Sequence, residues 1–237
     1  AAIIIITYNQ ANLIISQVEC IRRFCKDEFD IVIIENSNVQ DITDAIKYYN
    51  DTKLNCIYYK TLSTENNSSN GHTFAANFAY DKLKNNYDYF AFLDFDLFPL
   101  KDFSIKEILK DKVMAGLAQC KSKKYFWPGC LFFDNTKIDH DLIDFSTNKE
   151  LELDTGGNLY KVIEKYGEEA CVFFDEAYEQ NPYFNKSMYN FYAMINNKLF
   201  MHFINGSNWA NALDNQERIN SLLNILEQPV PLEIVHN

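Results

Sequence analysis

The first half of the chain alternates unbroken apolar runs with amphipathic ones. Ala2–Thr7 (AIIIIT) is a continuous β-branched run, which predicts a strand covered on both faces. Asn12–Phe24 repeats Leu13, Ile14, Val18 and Ile21 at helical spacing. A second buried strand is predicted over 30–34 (DIVII), a helix over 41–49 and a third strand over 54–59. A polar loop over 66–71, a helix over 73–83 and a fourth strand over 87–93 follow. This β-α-β-α-β-α-β order predicts a largely parallel sheet with helices on both faces. Ligands of such sheets bind at the carboxyl ends of the strands. Three predicted strand ends carry ligand-capable residues: Thr7-Tyr8-Asn9, Glu35-Asn36-Ser37-Asn38 and Asp94-Phe95-Asp96.

The second half is less periodic. Strands are predicted over 113–119 and 125–133, around a short loop. Asp154-Thr155-Gly156-Gly157 opens a predicted helix over 158–166, and 174–186 reads as a polar, aromatic loop. Segments 188–195 and 198–204 alternate around Asn196-Asn197, a hairpin signal. A closing helix is predicted over 213–226, ended by Pro229 and Pro231. With no internal repeat and no low-complexity linker, one domain over 1–237 is expected, built as two halves, 1–100 and 101–237.

Composition narrows the chemistry. Against 22 Lys and Arg stand 33 Asp and Glu, a net charge of −11, which repels a phosphate backbone and argues against nucleic acid as a partner. One small phosphorylated ligand is still compatible, because a bound cation reverses the local sign. The six cysteines form no C-x-x-C pair and no zinc spacing, so they read as free thiols of a reducing compartment. No apolar run approaches the roughly 20 residues of a membrane span, and residues 1–6 lack the basic lead of a signal peptide. A cytoplasmic chain without a transmembrane segment is expected.

Asp94 and Asp96 follow a strongly apolar predicted strand. In an extended chain, a spacing of two points both carboxylates to one side, where they repel unless a cation lies between them. A hard divalent cation carrying phosphate oxygens resolves that repulsion. The alternative is a solvated acidic turn after an edge strand; the apolar run over 89–93 and a pre-proline turn at Phe98-Pro99 favour the cation.

Strand followed by Thr7-Tyr8-Asn9, second strand closed by Glu35-Asn36-Ser37-Asn38, Asn70-Gly71 and Asn77 leading into a helix, and Asp94-Phe95-Asp96 on the fourth strand occur in one order. In that order the first hundred or so residues resemble the nucleotide-binding half of the GT-A glycosyltransferases, especially the family-2-like group. The resemblance implies an α/β, Rossmann-like mixed sheet, mainly parallel and flanked by helices, with residues 1–100 as the nucleotide-sugar half and 101–237 as a smaller acceptor-side half. It implies an enzyme that moves a sugar from a nucleoside-diphosphate-sugar, UDP-sugar by family habit, to an acceptor hydroxyl on a glycan, glycolipid or glycoprotein, with Mn2+ or Mg2+ and with inversion.

By the same resemblance Thr7, Tyr8 and Asn9 line the nucleotide pocket, Tyr8 by packing on the base, and Asn77 belongs to that pocket. Glu35, where the family usually has Asp, accepts from a base N–H or a ribose hydroxyl. Asp94 sits near ribose or metal, and Asp96 is a metal ligand. His202 resembles a late histidine that completes the metal site in some members, with Gly206 and Ser207 donating to the diphosphate and Trp209 at the substrate. The lysine usual near Asn208 is missing. A late histidine of this kind occurs in retaining members, which leaves the stereochemistry open.

Trp127 offers an aromatic plane to a sugar, or is a core residue. Asp154, ahead of a glycine pair, reads as a helix N-cap or as the general base, with Asp175 and Glu176 as the next acids in line. His72, His140 and His236 lie in no comparable context. A nucleotidyltransferase would need a Gly-rich basic loop after the first strand, which Thr7-Tyr8-Asn9-Gln10 is not. A non-catalytic carbohydrate- or nucleotide-binding module would keep the fold without the metal.

Overall fold

The computed structural model describes residues 1–8, 11–61, 68–180 and 191–203, together with Asn220, Asn224 and Leu226. Its first layer is a seven-stranded sheet in the order β3-β2-β1-β4-β7-β6-β8. The strands are β1 (Ala2–Thr7), β2 (Asp30–Glu35), β3 (Ile57–Lys60), β4 (Tyr89–Asp94), β6 (Met114–Cys120), β7 (Lys124–Asp134) and β8 (Cys171–Phe173). β7 pairs antiparallel with both its neighbours, and every other pairing in this sheet is parallel. The sheet is therefore mixed and mainly parallel, as expected.

The unbroken apolar run of β1 has a direct cause. Ile3 and Ile5 point into one core with Leu13, Ile14, Val18 and Ile21 of helix α1 (Asn12–Phe24). Ala2, Ile4 and Ile6 point into the other with Ala75, Ala76, Ala79, Tyr80 and Leu83 of helix α3 (Ser68–Leu83). Successive strand residues face opposite ways, so a strand with a helix on each face must be apolar throughout. Each such isoleucine contributes about 1.5–3 kcal/mol on burial. Helix α2 (Gln40–Tyr49) and helices α4 (Ile105–Leu109) and α5 (Tyr160–Tyr166) complete the layers.

α3 begins at Ser68, so Asn70 and Gly71 are helical where a loop was expected over 66–71. Ser, Asn and Gly are weak helix formers, and packing overrides that preference: Gly71 is buried, and Ala75, Ala76 and Ala79 let the helix lie close on the sheet. Helix α5 starts two residues later than expected, after a 3-10 turn over Gly157–Leu159.

A second, four-stranded antiparallel sheet has the order β5-β11-β10-β9, with β5 (Leu97–Pro99), β9 (Glu176–Gln180), β10 (Phe191–Ile195) and β11 (Phe200–His202). The expected hairpin at Asn196-Asn197 joins β10 to β11, with Asn196, Asn197 and Lys198 all at positive φ. Two expectations are corrected. Phe98-Pro99 is a strand, where Pro99 is tolerated because β5 is an outer strand of its sheet. Part of the expected loop 174–186 is β9, whose sequence EAYEQ carries little strand preference and is ordered by pairing with β10. Most of the closing helix expected over 213–226 lies outside the described residues. Among the described residues, no helix is long and apolar enough to cross a membrane.

Candidate active site

The chain runs outward from β1 to β2 to β3 and returns on the other side of β1 as β4. Neighbouring loops therefore diverge above the β1/β4 pair, which is where open α/β sheets hold ligands. The register pairs Thr7 with Glu35 and Ile6 with Asp94, so the three polar strand ends finish at one level. A cavity of about 80 Å³ lies there, lined by Ile6, Tyr8, Asn36, His72, Asp94, Phe95 and Asp96. Ligand pockets usually measure roughly 300–1,000 Å³, so this space takes one group of a ligand.

Asp94 ends β4 and the chain turns at Phe95-Asp96, so the two carboxylates are presented by a turn rather than by the extended spacing expected. Buried Gln17 of α1 fixes that turn, its Nε2 donating to the carbonyls of Asp94 at 2.5 Å and Leu97 at 2.8 Å. The two carboxylates turn to different histidines. Asp94 Oδ1 lies 2.6 Å from His72 Nε2, and Asp96 Oδ1 lies 3.4 Å from His202 Nε2. Sheet pairing delivers His202: it stands opposite Leu97, and Phe203 N–H donates to the Asp96 carbonyl at 2.8 Å. Burial disfavours the charged form of both histidines, and the adjacent carboxylates more than offset it. Asp94 at His72 and Asp96 at His202 raise both above the ordinary 6.5.

Trp127 comes from β7. Because β7 runs against β4, with Cys130 opposite Leu93, Trp127 projects past the carboxyl end of β4. Its half-buried ring lies 4.9 Å from the His202 ring, centroid to centroid. Gly129 permits this, since a Cβ there would meet the Trp127 ring at 2.1 Å.

Asp154 is exposed at the tip of a braced loop, and its charge acts on His72. Gly156 accounts for the glycine. It sits at φ +81°, donates to the Phe145 carbonyl at 2.8 Å, and a Cβ would meet the Phe126 carbonyl oxygen at 2.6 Å. Asn77 anchors the same loop to α3 by accepting from Phe145 N–H at 3.0 Å, which places it at the loop rather than along the cavity.

Other expected residues are engaged within the fold. Thr7 is fully buried at the end of β1. Glu35 is also fully buried, with Oε1 accepting from Ser37 N–H at 2.6 Å and Oε2 lying 2.6 Å from Lys60 Nζ. Asn36 is the residue of that turn that reaches the cavity. Asp175 accepts from Asn197 N–H at 3.1 Å and ties β9 to the hairpin, whereas the charge of Glu176 acts on His202. Asn9, Gly206, Ser207 and Trp209 lie outside the described residues.

Solved structures with the same architecture include two glycosyltransferases. The galactosyltransferase LgtC, solved with donor and acceptor sugar analogues, aligns over 98% of both chains at a TM-score of 0.51 and 12% identity. The mannosyltransferase PcManGT of Pyrobaculum calidifontis, solved with GDP-Man and Mn2+, aligns over 73% of this chain at a TM-score of 0.52 and 14% identity. The chain has the GT-A fold. It spans about half, 53%, of the mannosyltransferase chain. No protein-family model and no curated protein matches the sequence.

The GT-A fold commonly carries a divalent cation, and the donor set here can be tested against one. Among the described residues, no three His, Cys, Asp or Glu side chains are gathered at ion-holding distance as they stand. The donor types nonetheless fit. Asp94 and Asp96 line one cavity, His202 adjoins Asp96, and two carboxylates with an imidazole suit Mn2+. The carboxylate repulsion that a cation would relieve is met in this structure by the two histidines.

His72 and Gln17 were not legible as site residues. The signal for His72 was positional: it stands on the first turns of a helix whose start faces the carboxyl end of the sheet.

Proposed function

We propose that the chain transfers a sugar from a nucleoside-diphosphate-sugar to an acceptor hydroxyl, with a divalent cation. One observation carries this reading. Tyr8, Asn36, Asp94 and Asp96 line a single cavity at the β1/β4 divergence of a GT-A fold, and β11 brings His202 beside Asp96. Tyr8 offers a ring to the base and Asn36 a donor and an acceptor to base or ribose. UDP is the proposed nucleotide. Asp94, Asp96 and His202 would hold the cation, which when bound supplies positive charge for the leaving diphosphate.

The chain's own groups carry the remaining steps. Trp127 packs against a sugar and excludes water above His202. Asp154 takes the proton of the acceptor hydroxyl as that oxygen bonds to the anomeric carbon. The bond from that carbon to the donor phosphate oxygen breaks with its electron pair, and the configuration inverts. The resemblance of the mannosyltransferase complex with GDP-Man and Mn2+ supports the donor class and the cation.

Thermal unfolding against UDP, GDP, dTDP and their sugars, each with and without Mn2+, tests the reading. A ligand at a hundred times its Kd adds about 2.7 kcal/mol to stability. The expected result is a Mn2+-dependent rise with one nucleotide, lost in Asp96→Ala. Asp154→Asn should keep that rise while its turnover falls about a hundredfold or more. A folded protein whose stability no nucleotide shifts would refute the proposal and favour a binding module without metal.

A further inference from the structure

Strand β2 alternates faces to its end. Ile31 and Ile33 point into the α1 layer, and Val32 and Ile34 into the α3 layer. The same alternation sends Glu35 to the α1 side, where Lys60 and Tyr58 meet it, and Asn36 to the α3 side. Asn36 N–H donates to the Thr7 carbonyl at 3.0 Å, which carries the strand pairing one residue further. The cavity lies on the α3 side, because Ile6 and His72 line it together with Asn36.

Asn36 is only 5% exposed, and only half of its amide is used within the protein. Oδ1 lies 2.9 Å from the hydroxyl of Thr61, which is itself buried. That hydroxyl has one proton to give. It lies 3.3 Å from the Glu35 carbonyl, which already accepts Thr61 N–H at 2.9 Å. The shorter contact takes the proton, so Thr61 donates to Asn36 Oδ1 and fixes which way round the amide sits. Nδ2, with its two N–H groups, is the end left for the cavity, and among the described residues it donates to nothing. A buried donor without an acceptor is costly, so a ligand that supplies the acceptor is favoured there.

The strand order says which part of a nucleotide arrives at Asn36. Asn36 follows β2, Tyr8 follows β1 and Asp94 ends β4, in the spatial order β2-β1-β4. Two strand spacings set the Asn36 and Asp94 backbones about 9–10 Å apart. With diphosphate and cation at Asp94 and Asp96, the ribose lies over β1 and the base reaches Asn36. An amide whose oxygen is engaged selects an acceptor that projects from the ring. Thymine and guanine carry such keto oxygens, as does uracil, whereas the N7 acceptor of adenine lies beside an amino group that would set donor against donor.

We infer that Asn36, oriented by Thr61, selects the base of the donor nucleotide: its Nδ2 donates to a keto oxygen of the nucleobase, uracil O2 or O4 in a UDP-sugar. The inference rests on the transferase reading above, and it narrows the role of Asn36 there to that of a donor toward the base.

Calorimetric titration of the full chain with Mn2+ tests this, comparing UDP with 2-thio-UDP, 4-thio-UDP and ADP. Sulfur is a weak acceptor, so one of the two thio analogues should bind about three- to tenfold more weakly than UDP. ADP should bind about tenfold more weakly or worse. These comparisons need no variant. Asn36→Leu keeps the bulk of the side chain without the donor. It should bind UDP about three- to tenfold more weakly and no longer distinguish that thio analogue from UDP. Thr61→Val should lose part of the preference for UDP over ADP, because the amide is then free to turn. If GDP is the nucleotide bound, 6-thio-GDP replaces the uridine analogues with the same expectations. Thio analogues that bind as tightly as their parent nucleotide overturn base selection by Asn36, and so does a thio penalty that Asn36→Leu leaves in place or ADP binding as tight as UDP. In each of those cases nucleotide binding keeps the transferase reading standing. An unchanged base preference in Thr61→Val overturns the orienting role of Thr61. A folded protein that binds no nucleotide overturns both the inference and the reading beneath it.

Discussion

His72 Nε2 and Asp94 Oδ1 meet at 2.6 Å across the crevice, one from the start of α3 and the other from the end of β4. Such a contact fixes the rotamer of a carboxylate that, under the proposed function, holds a cation. Partners of this kind typically change metal affinity about 10–100-fold when removed. His72→Ala should therefore weaken Mn2+ binding in the presence of the nucleotide by about that factor, read by electron paramagnetic resonance of free Mn2+. His72→Gln, which can still donate to Asp94, should recover part of the loss. Unchanged Mn2+ binding in both variants would show that Asp94 needs no such orientation.

The buried Glu35–Lys60 pair makes a separate prediction about stability. Glu35 is fully enclosed and its Lys60 partner is mostly so. Lys60→Met would leave a carboxylate in the interior without its cation, beside Ser37 N–H and the Tyr58 hydroxyl. Losing one partner of a buried pair costs on the order of 3–5 kcal/mol. The double variant Lys60→Met with Glu35→Leu should regain much of that loss, because no charge is then stranded. Urea unfolding of the single and double variants measures the difference, and equal midpoints for parent and Lys60→Met would rule the argument out.

The parts legible in the sequence are those where local pattern and tertiary demand agree. β1 is covered by α1 and α3, so Ile3 through Ile6 had to be apolar on both faces. The Asn196-Asn197 turn needs positive φ, which asparagine tolerates. Other features were illegible because long-range pairing creates them. β9 is a strand only because β10 lies beside it, and His72 is a site residue only because α3 is docked with its start over Asp94. The partner of Glu35 was illegible for a related reason: a carboxylate at a strand end reads as a ligand group, and its pairing with Lys60 depends on β3 lying beside β2.

Gly156 is required by its surroundings as well as by its backbone. At φ +81°, with the Phe126 carbonyl oxygen 2.6 Å from where a Cβ would stand, alanine is strained in both respects. Gly156→Ala should cost about 1–3 kcal/mol. Because the loop also carries Asp154, turnover should fall further than stability alone explains. Activity measured well below the melting temperature of the variant separates the two effects. A variant as stable and active as the parent would show that the loop relaxes freely.

Asp144 gives the fold an acid-sensitive point away from the crevice. Burial pushes its carboxyl up, but hydrogen bonds from Ser146, Asn158 and Asn77 outweigh burial and hold it below the usual 3.8. Ser146 N–H donates at 2.9 Å and Asn158 Nδ2 at 2.7 Å. A group whose folded pKa is depressed binds its proton more readily in the unfolded chain. Its stabilisation is therefore complete above the unfolded value and is lost as pH falls through the folded one. Asp144→Asn removes this titration, so between neutrality and pH values below 3.8 the variant should lose less stability than the parent. Because Asn158 binds Asp144 across the 144–158 loop and Asn77 binds it to α3, the parent should also lose the protection of Asp154 and Gly156 amides from hydrogen exchange on acidification before it unfolds globally. Parallel acid unfolding curves for parent and variant would show that these hydrogen bonds do not discriminate between the two protonation states.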